Sequence, residues 1–181
     1  MQESQPVTIV IFGAMGDLSS RKLFPALSDL YERDLLPDRT HIVGASREEI
    51  DEAIFHAHVK KSVSDISDSL LKKISYMQMD ATDAESYTRL GARLGAIDDA
   101  TGTRVNRMFH LAVPPTLYKE IFTHLGESGI TKEDAGSWSR ILVEKPFGYD
   151  TESARSLDET LSKYFSDEQV FRIDHYLAKD T

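Results

Sequence analysis

The run Gly13-Ala14-Met15-Gly16-Asp17-Leu18 joins a short apolar stretch to an amphipathic one. A strand, a glycine turn and a helix in that order can carry a dinucleotide pyrophosphate on backbone N–H groups and the helix dipole. Gly13 suits the tight turn, and Gly16 suits close approach of phosphate to main chain. Leu18 occupies the third glycine position of the usual fingerprint, so the pattern also suits a turn with a purely structural role. The loop lacks the Gly-Lys-Ser/Thr of a triphosphate-binding loop, which favours a dinucleotide over ATP.

Val43-Gly44-Ala45-Ser46-Arg47 ends in Ser and Arg, where an NAD site usually carries Asp or Glu against the ribose hydroxyls. Ser46 can donate a hydrogen bond and Arg47 a charge-assisted one to a 2'-phosphate, which points to NADP rather than NAD. Alternatively Arg47 opens the next helix as a solvated charge, with Glu48 and Glu49 favouring that helix start.

Further groups recur at strand ends. His110-Leu111-Ala112-Val113-Pro114-Pro115 puts a prolyl turn at the edge where doubly wound sheets bind ligands, and rigid backbone there can position a nicotinamide. His110 itself falls within the strand pattern and reads as a packed or hydrogen-bonded side chain. In Glu144-Lys145-Pro146-Phe147-Gly148 the lysine can reach a substrate hydroxyl or phosphate, with Glu144 orienting it or both solvated. Arg172-Ile173-Asp174-His175-Tyr176-Leu177-Ala178-Lys179 is the densest cluster. An Asp can orient an imidazole base, while His, Tyr and Lys can bind a phosphate. No pair there has the spacing of a helical zinc site, and no metal is expected.

These groups need elements to hold them. The pattern predicts strands at Val7–Phe12, His41–Ala45, Ile74–Met77, Asn106–Leu111, Arg140–Val143 and around Gln169–Ile173. Between them it predicts helices over Leu18–Tyr31, Glu48–Ser64, Ala84–Leu94, Leu117–Leu125 and Thr151–Phe165. Pro25 kinks or restarts the first, and Asp98–Thr103 reads as a turn-rich surface connection. Such alternation argues for an open, mostly parallel, doubly wound α/β sheet with flanking helices.

Composition agrees. The 181 residues are 40% hydrophobic and 28% charged, as in a folded domain, and the formal charge of -9 disfavours a nucleic-acid partner. Without cysteine there is no disulfide, thiolate chemistry or Cys-ligated metal, and no run reaches the length of a membrane span. A cytosolic location is expected.

Taken together, Gly13 to Leu18 with Arg21-Lys22-Leu23-Phe24-Pro25-Ala26-Leu27, Leu111-Ala112 before Pro114-Pro115, Glu144 to Gly148, and Arg172 to Leu177 with Lys179 resemble the N-terminal part of the glucose-6-phosphate dehydrogenase family. The resemblance spans nearly the whole chain in order. It implies a Rossmann-like domain over residues 1–181 that binds NADP and ends in the start of the substrate site. It also implies hydride transfer from carbon 1 of glucose 6-phosphate to NADP, giving 6-phosphogluconolactone for the oxidative pentose phosphate pathway.

By the same resemblance, Gly13, Ala14, Met15, Gly16, Asp17, Leu18, Ser46, Arg47, Ala112, Pro114 and Lys145 bind the coenzyme. Lys22, Lys145, His175, Tyr176 and Lys179 bind the sugar phosphate, with Lys145 also near the reacting centre. Asp174 orients a catalytic histidine that the family carries further on, in an α+β domain that also builds a homodimer or homotetramer and is absent here. Negligible turnover is therefore expected of these residues alone. Met15 and Ser20 depart from the family's usual small or hydroxylated and basic residues, and Ala178 and Asp180 from glycine and glutamate, so weakened coenzyme binding is expected. Another NADP-dependent oxidoreductase and a stand-alone nucleotide sensor remain as alternative readings.

Overall fold

Val7–Phe12 (β1) is apolar except at Thr8, and all of it is buried. A strand of this kind needs cover on both faces. The computed structural model, which describes residues 5–134, 136–148 and 150–173, supplies it. Thr40–Ser46 (β2), Ile74–Gln78 (β3), Asn106–Leu111 (β4), Ser139–Glu144 (β5) and Val170–Ile173 (β6) complete a sheet of order β3-β2-β1-β4-β5-β6. Every pairing is parallel. The expected doubly wound α/β sheet with flanking helices is therefore present, and the strand order reverses at β1, between β2 and β4.

Alternate β1 side chains feed two cores. Val7, Ile9 and Ile11 pack with Phe24, Phe55 and Leu70 on one face, while Val10 and Phe12 pack with Tyr87, Leu90, Ile121 and Phe122 on the other. The first face is covered by Phe24–Glu32 (α1), Glu52–Ser62 (α2) and the short Asp68–Leu71 (α3). The second is covered by Ala84–Thr101 (α4), Tyr118–Ser128 (α5) and Thr151–Tyr164 (α6).

The boundaries differ from the sequence expectation for identifiable reasons. The first helix begins at Asp17, widens into a π-helical turn at Ser19–Leu23 and continues into α1, with Pro25 in its first turn. A proline ring crowds the carbonyl four residues back and donates no hydrogen bond, and the wide turn accommodates both defects. The second helix starts at Glu52 rather than Glu48 because the Asp51 carboxylate accepts the Ile54 N–H at 2.8 Å. Asp98–Thr103 is corrected from a turn-rich connection: α4 runs to Thr101 and ends at Gly102, whose φ of 72° forms a left-handed cap. Asp98 belongs to that last turn because it binds Arg107 at 2.6 Å and the Val105 N–H at 2.9 Å. No helix of the described residues is long and apolar enough to cross a membrane.

Candidate functional site

The glycine turn hangs from the end of β1. Gly13 has φ of 80°, and a Cβ there would lie 2.4 Å from the Ala112 carbonyl oxygen, so both conformation and contact demand glycine. The Gly13 and Ala14 N–H groups donate to Ala45 at 2.8 and 3.1 Å, and the Gly16 N–H donates back to Gly13 at 2.9 Å. The Met15 N–H reaches Ser46 Oγ at 3.4 Å. The turn thus closes on itself and on β2. Left without acceptors among the described residues are the Asp17, Leu18 and Ser19 N–H groups at the helix start, the orphan donors that favour an anion.

Two serines brace this turn. Ser19 is fully buried and donates from Oγ to Gly13 at 2.9 Å. Ser20 donates to Gly16 at 2.9 Å and lies 2.9 Å from His58 Nε2 on α2. With the Ser20 proton on Gly16, His58 donates its Nε2 proton to Ser20. Burial, then the neighbouring Lys61, pulls the His58 pKa down against the opposing pull of Glu48.

The turn opens onto a cleft of about 320 Å³ at the carboxyl ends of β1, β2, β3 and β4. Ligands bind at such an edge, where strand order reverses. Gly13, Met15, Gly16, Ser46, Arg47, Ala112 and Pro114 line it, so the structure gathers these sequence-predicted residues in one place. Ala14 is instead buried beneath the turn in the α1/α2 core. Asp17 and Leu18 follow the cleft-lining Gly16 at the helix start and are not themselves part of the lining, and the Asp17 carboxylate pairs with Arg21 at 3.6 Å on the surface.

Arg47 is exposed on the cleft and takes part in no ion pair among the described residues. It stands in the connection before the Asp51 cap rather than opening the helix. The Tyr76 hydroxyl lies 3.1 Å from the Ser46 carbonyl and 2.6 Å from that of Glu48, bracketing Arg47, whose own carbonyl accepts from Gln78 at 3.3 Å. Burial, with Glu48 adding, pushes the Tyr76 pKa up to about 12, so this anchor stays protonated at neutral pH.

Beyond β4 the pieces are separate. His110 is buried with Nε2 3.2 Å from the buried Glu144 carboxylate, which matches the packed, hydrogen-bonded reading and sets Glu144 against His110. Lys145 is exposed after β5, its N–H donating to Ile173 at 3.2 Å, and its peptide to Pro146 is cis. Lys22 is exposed too, and neither lysine lines the cleft. Asp174, His175, Tyr176 and Lys179 lie outside the described residues.

Sequence reasoning missed Ser19, Tyr76, Asp80 and Thr82. The signal for Asp80 and Thr82 was an Asp-x-Thr directly after a strand, which builds a local turn: Asp80 Oδ1 accepts the Thr82 N–H at 2.9 Å and its hydroxyl at 2.8 Å. Tyr76 carried no such mark because its partners lie 28 and 30 residues away, and Ser19 carried none because only the folded turn brings the Gly13 carbonyl over its hydroxyl.

A family model described as glucose-6-phosphate dehydrogenase, NAD binding domain, matches residues 10–181. The chain belongs to the glucose-6-phosphate dehydrogenase family. Glucose-6-phosphate 1-dehydrogenase of Aggregatibacter actinomycetemcomitans is 39% identical over 180 residues, covering 96% of this chain and 36% of the relative. That of Treponema pallidum is 38% identical over 186 residues, covering 97% and 36%.

Among solved structures, a glucose-6-phosphate dehydrogenase in complex with its substrate glucose-6-phosphate superposes with a TM-score of 0.87 at 33% identity, over 99% of this chain and 38% of the other. The Mycobacterium avium glucose-6-phosphate 1-dehydrogenase gives 0.82 at 28% identity, over 96% and 37%. The chain thus spans little more than a third of these family members, and it corresponds to their coenzyme-binding domain.

Proposed function

We propose that the cleft binds NADP and that, in a protein of its relatives' length, it serves the oxidation of glucose 6-phosphate to 6-phosphogluconolactone. The observation supporting this best is Arg47, an exposed guanidinium on the cleft at the end of β2. A planar guanidinium matches a 2'-phosphate in charge and hydrogen-bond geometry, whereas an unphosphorylated ribose is usually met by a carboxylate at that place. Ser46 retains a hydroxyl proton to add, since its Oγ acts as acceptor toward Met15.

The donor set suits the rest of a dinucleotide. The N–H groups of Asp17 and Leu18 suit the pyrophosphate, and Ala112 and Pro114 wall the cleft beyond Gly13. When bound, NADP supplies the hydride acceptor. In this reading Lys22 and Lys145 hold the sugar by charge and hydrogen bond, His175, Tyr176 and Lys179 bind its phosphate, and Asp174 orients the histidine that takes the C1 hydroxyl proton. The family resemblance puts that histidine beyond Thr181, so these 181 residues bind coenzyme but turn over negligibly.

Titration calorimetry of the chain with NADP and with NAD tests the reading. NADP should bind more tightly, and Arg47→Ala should weaken it by about tenfold or more, the value of a lost charge-assisted hydrogen bond, while NAD changes by less than about twofold. Equal weakening of both nucleotides would remove the 2'-phosphate role of Arg47.

A further inference from the structure

The cation on the cleft has acidic company. Glu48 follows it in sequence, and Asp80 lines the same cleft from the end of β3. The two strand ends are tied together: the Met79 N–H donates to Ser46 at 2.8 Å and Gln78 Nε2 donates to Arg47 at 3.3 Å. Ser46 pairs with Gln78 in the sheet, which sets Arg47 level with Met79 and Asp80 one residue further along.

The Asp80 carboxylate is held in place. Thr82 binds Oδ1 through both its N–H and its hydroxyl, leaving little freedom to swing away. Those two hydrogen bonds, followed by the Arg47 charge, keep the carboxyl below its ordinary range against some desolvation and the repulsion of Asp83, so it is anionic at neutral pH.

Resting on the coenzyme reading above, we propose that Asp80 is a specificity-determining residue whose fixed carboxylate opposes the 2'-phosphate beside Arg47, narrowing the preference for NADP and leaving the cleft open to NAD. The two dinucleotides differ only by that phosphate. A carboxylate near it therefore penalises NADP and is nearly silent toward NAD, while Arg47 acts in the opposite sense. Coenzyme choice is the balance of one cation on β2's end against one anchored anion on β3's end.

Asp80→Asn tests this directly, because an asparagine keeps the Oδ1 acceptor for Thr82 and loses only the charge. Calorimetric titration of the purified chain with each nucleotide should show NADP binding about five- to tenfold tighter in Asp80→Asn, as expected for one unit charge several ångströms from a phosphate at an exposed rim. NAD should change by less than about twofold, and the NADP gain should fade at about 1 M salt, where the screening length is about 3 Å. Thr82→Ala, which removes the hydroxyl bond and leaves the N–H bond to Oδ1, loosens the carboxylate and should give a smaller change in the same direction. An unmoved NADP to NAD ratio in both variants, an equal change for both nucleotides, or a salt-independent gain would overturn the proposal while leaving the coenzyme reading intact. Binding of neither nucleotide by the folded wild-type chain would overturn both.

Discussion

Replacing Gly44 by alanine would place a methyl group where α2 and the glycine turn both press on β2. Its Cβ would sit 2.3 Å from Phe55 Cζ and 2.9 Å from Ala14 Cβ. Carbon atoms in contact prefer about 3.5–4.0 Å, so the ring must retreat by more than about 1 Å. It has little room. Phe55 is fully buried, edge-on to Phe24 at 6.0 Å between centroids and tilted against Tyr76 at 4.9 Å. Overpacking of this kind costs about 1–3 kcal/mol, partly offset by about 0.5 kcal/mol from the less flexible unfolded chain. A net loss of about 1–2 kcal/mol is expected, read as a lower urea midpoint at constant slope.

Phe55→Leu removes the far end of the ring and should itself cost about 1–2 kcal/mol. In the double variant the new methyl group occupies vacated space, so the loss should fall short of the sum by about 1 kcal/mol or more. The proposed NADP binding should be weakened in Gly44→Ala and equally in the double variant, because in both Ala14 has to shift and carries the glycine turn with it. Additivity within about 0.5 kcal/mol, or an unaltered midpoint for Gly44→Ala, would refute the packing argument.

Asp98→Ala leaves Arg107 buried without its carboxylate, the side chains being 7% and 20% exposed, and should cost about 3 kcal/mol in urea unfolding. Asp98→Asn, which preserves an acceptor for Val105, should cost less. Burial raises Tyr76 and Tyr118 to about 12, above their ordinary value of 10.0, so their hydroxyls contribute stability that is complete below pH 10.0 and drains as pH rises toward 12. Tyr76→Phe should flatten the fall in thermal midpoint over that interval. The Asp150 carboxyl is held below its ordinary 3.8, first by the Ser153 N–H at 2.7 Å, so its capping contribution is complete above 3.8 and is lost as pH falls through the lowered value. The gap in urea midpoint between wild type and Asp150→Ala should therefore close on acidification.

The parts of the molecule legible in the sequence were those whose cause is local. The apolar run of β1, the glycine that ends it and the prolines after β4 each declare an element by residue type, and the sheet follows from their alternation. What stayed hidden depended on partners that only the fold brings together. Nothing near Asp98 announces that Arg107 will hold it in a helix, and nothing near Arg47 shows that Tyr76 will bracket its peptide from another strand. The π-helical turn before Pro25 was foreshadowed only as a kink or a restart, because a proline reports a missing hydrogen bond without saying how the chain absorbs it.

The central position of β1 reaches beyond packing. Its amides bond into strands on both sides, so they exchange with solvent only when the whole domain opens, whereas β6, at the sheet edge with Phe171 exposed, can exchange by local fraying. The glycine turn hangs from that slowest segment, with the Gly13 and Ala14 amides bonded to β2. A nucleotide that binds only the folded chain lowers the population of the globally open state by the factor one plus its concentration over its dissociation constant. Deuterium uptake at Val7–Ile11, none of which lines the cleft, would then report cleft occupancy, and the hydrophobic centre of the sheet would serve as a gauge of how full its rim is.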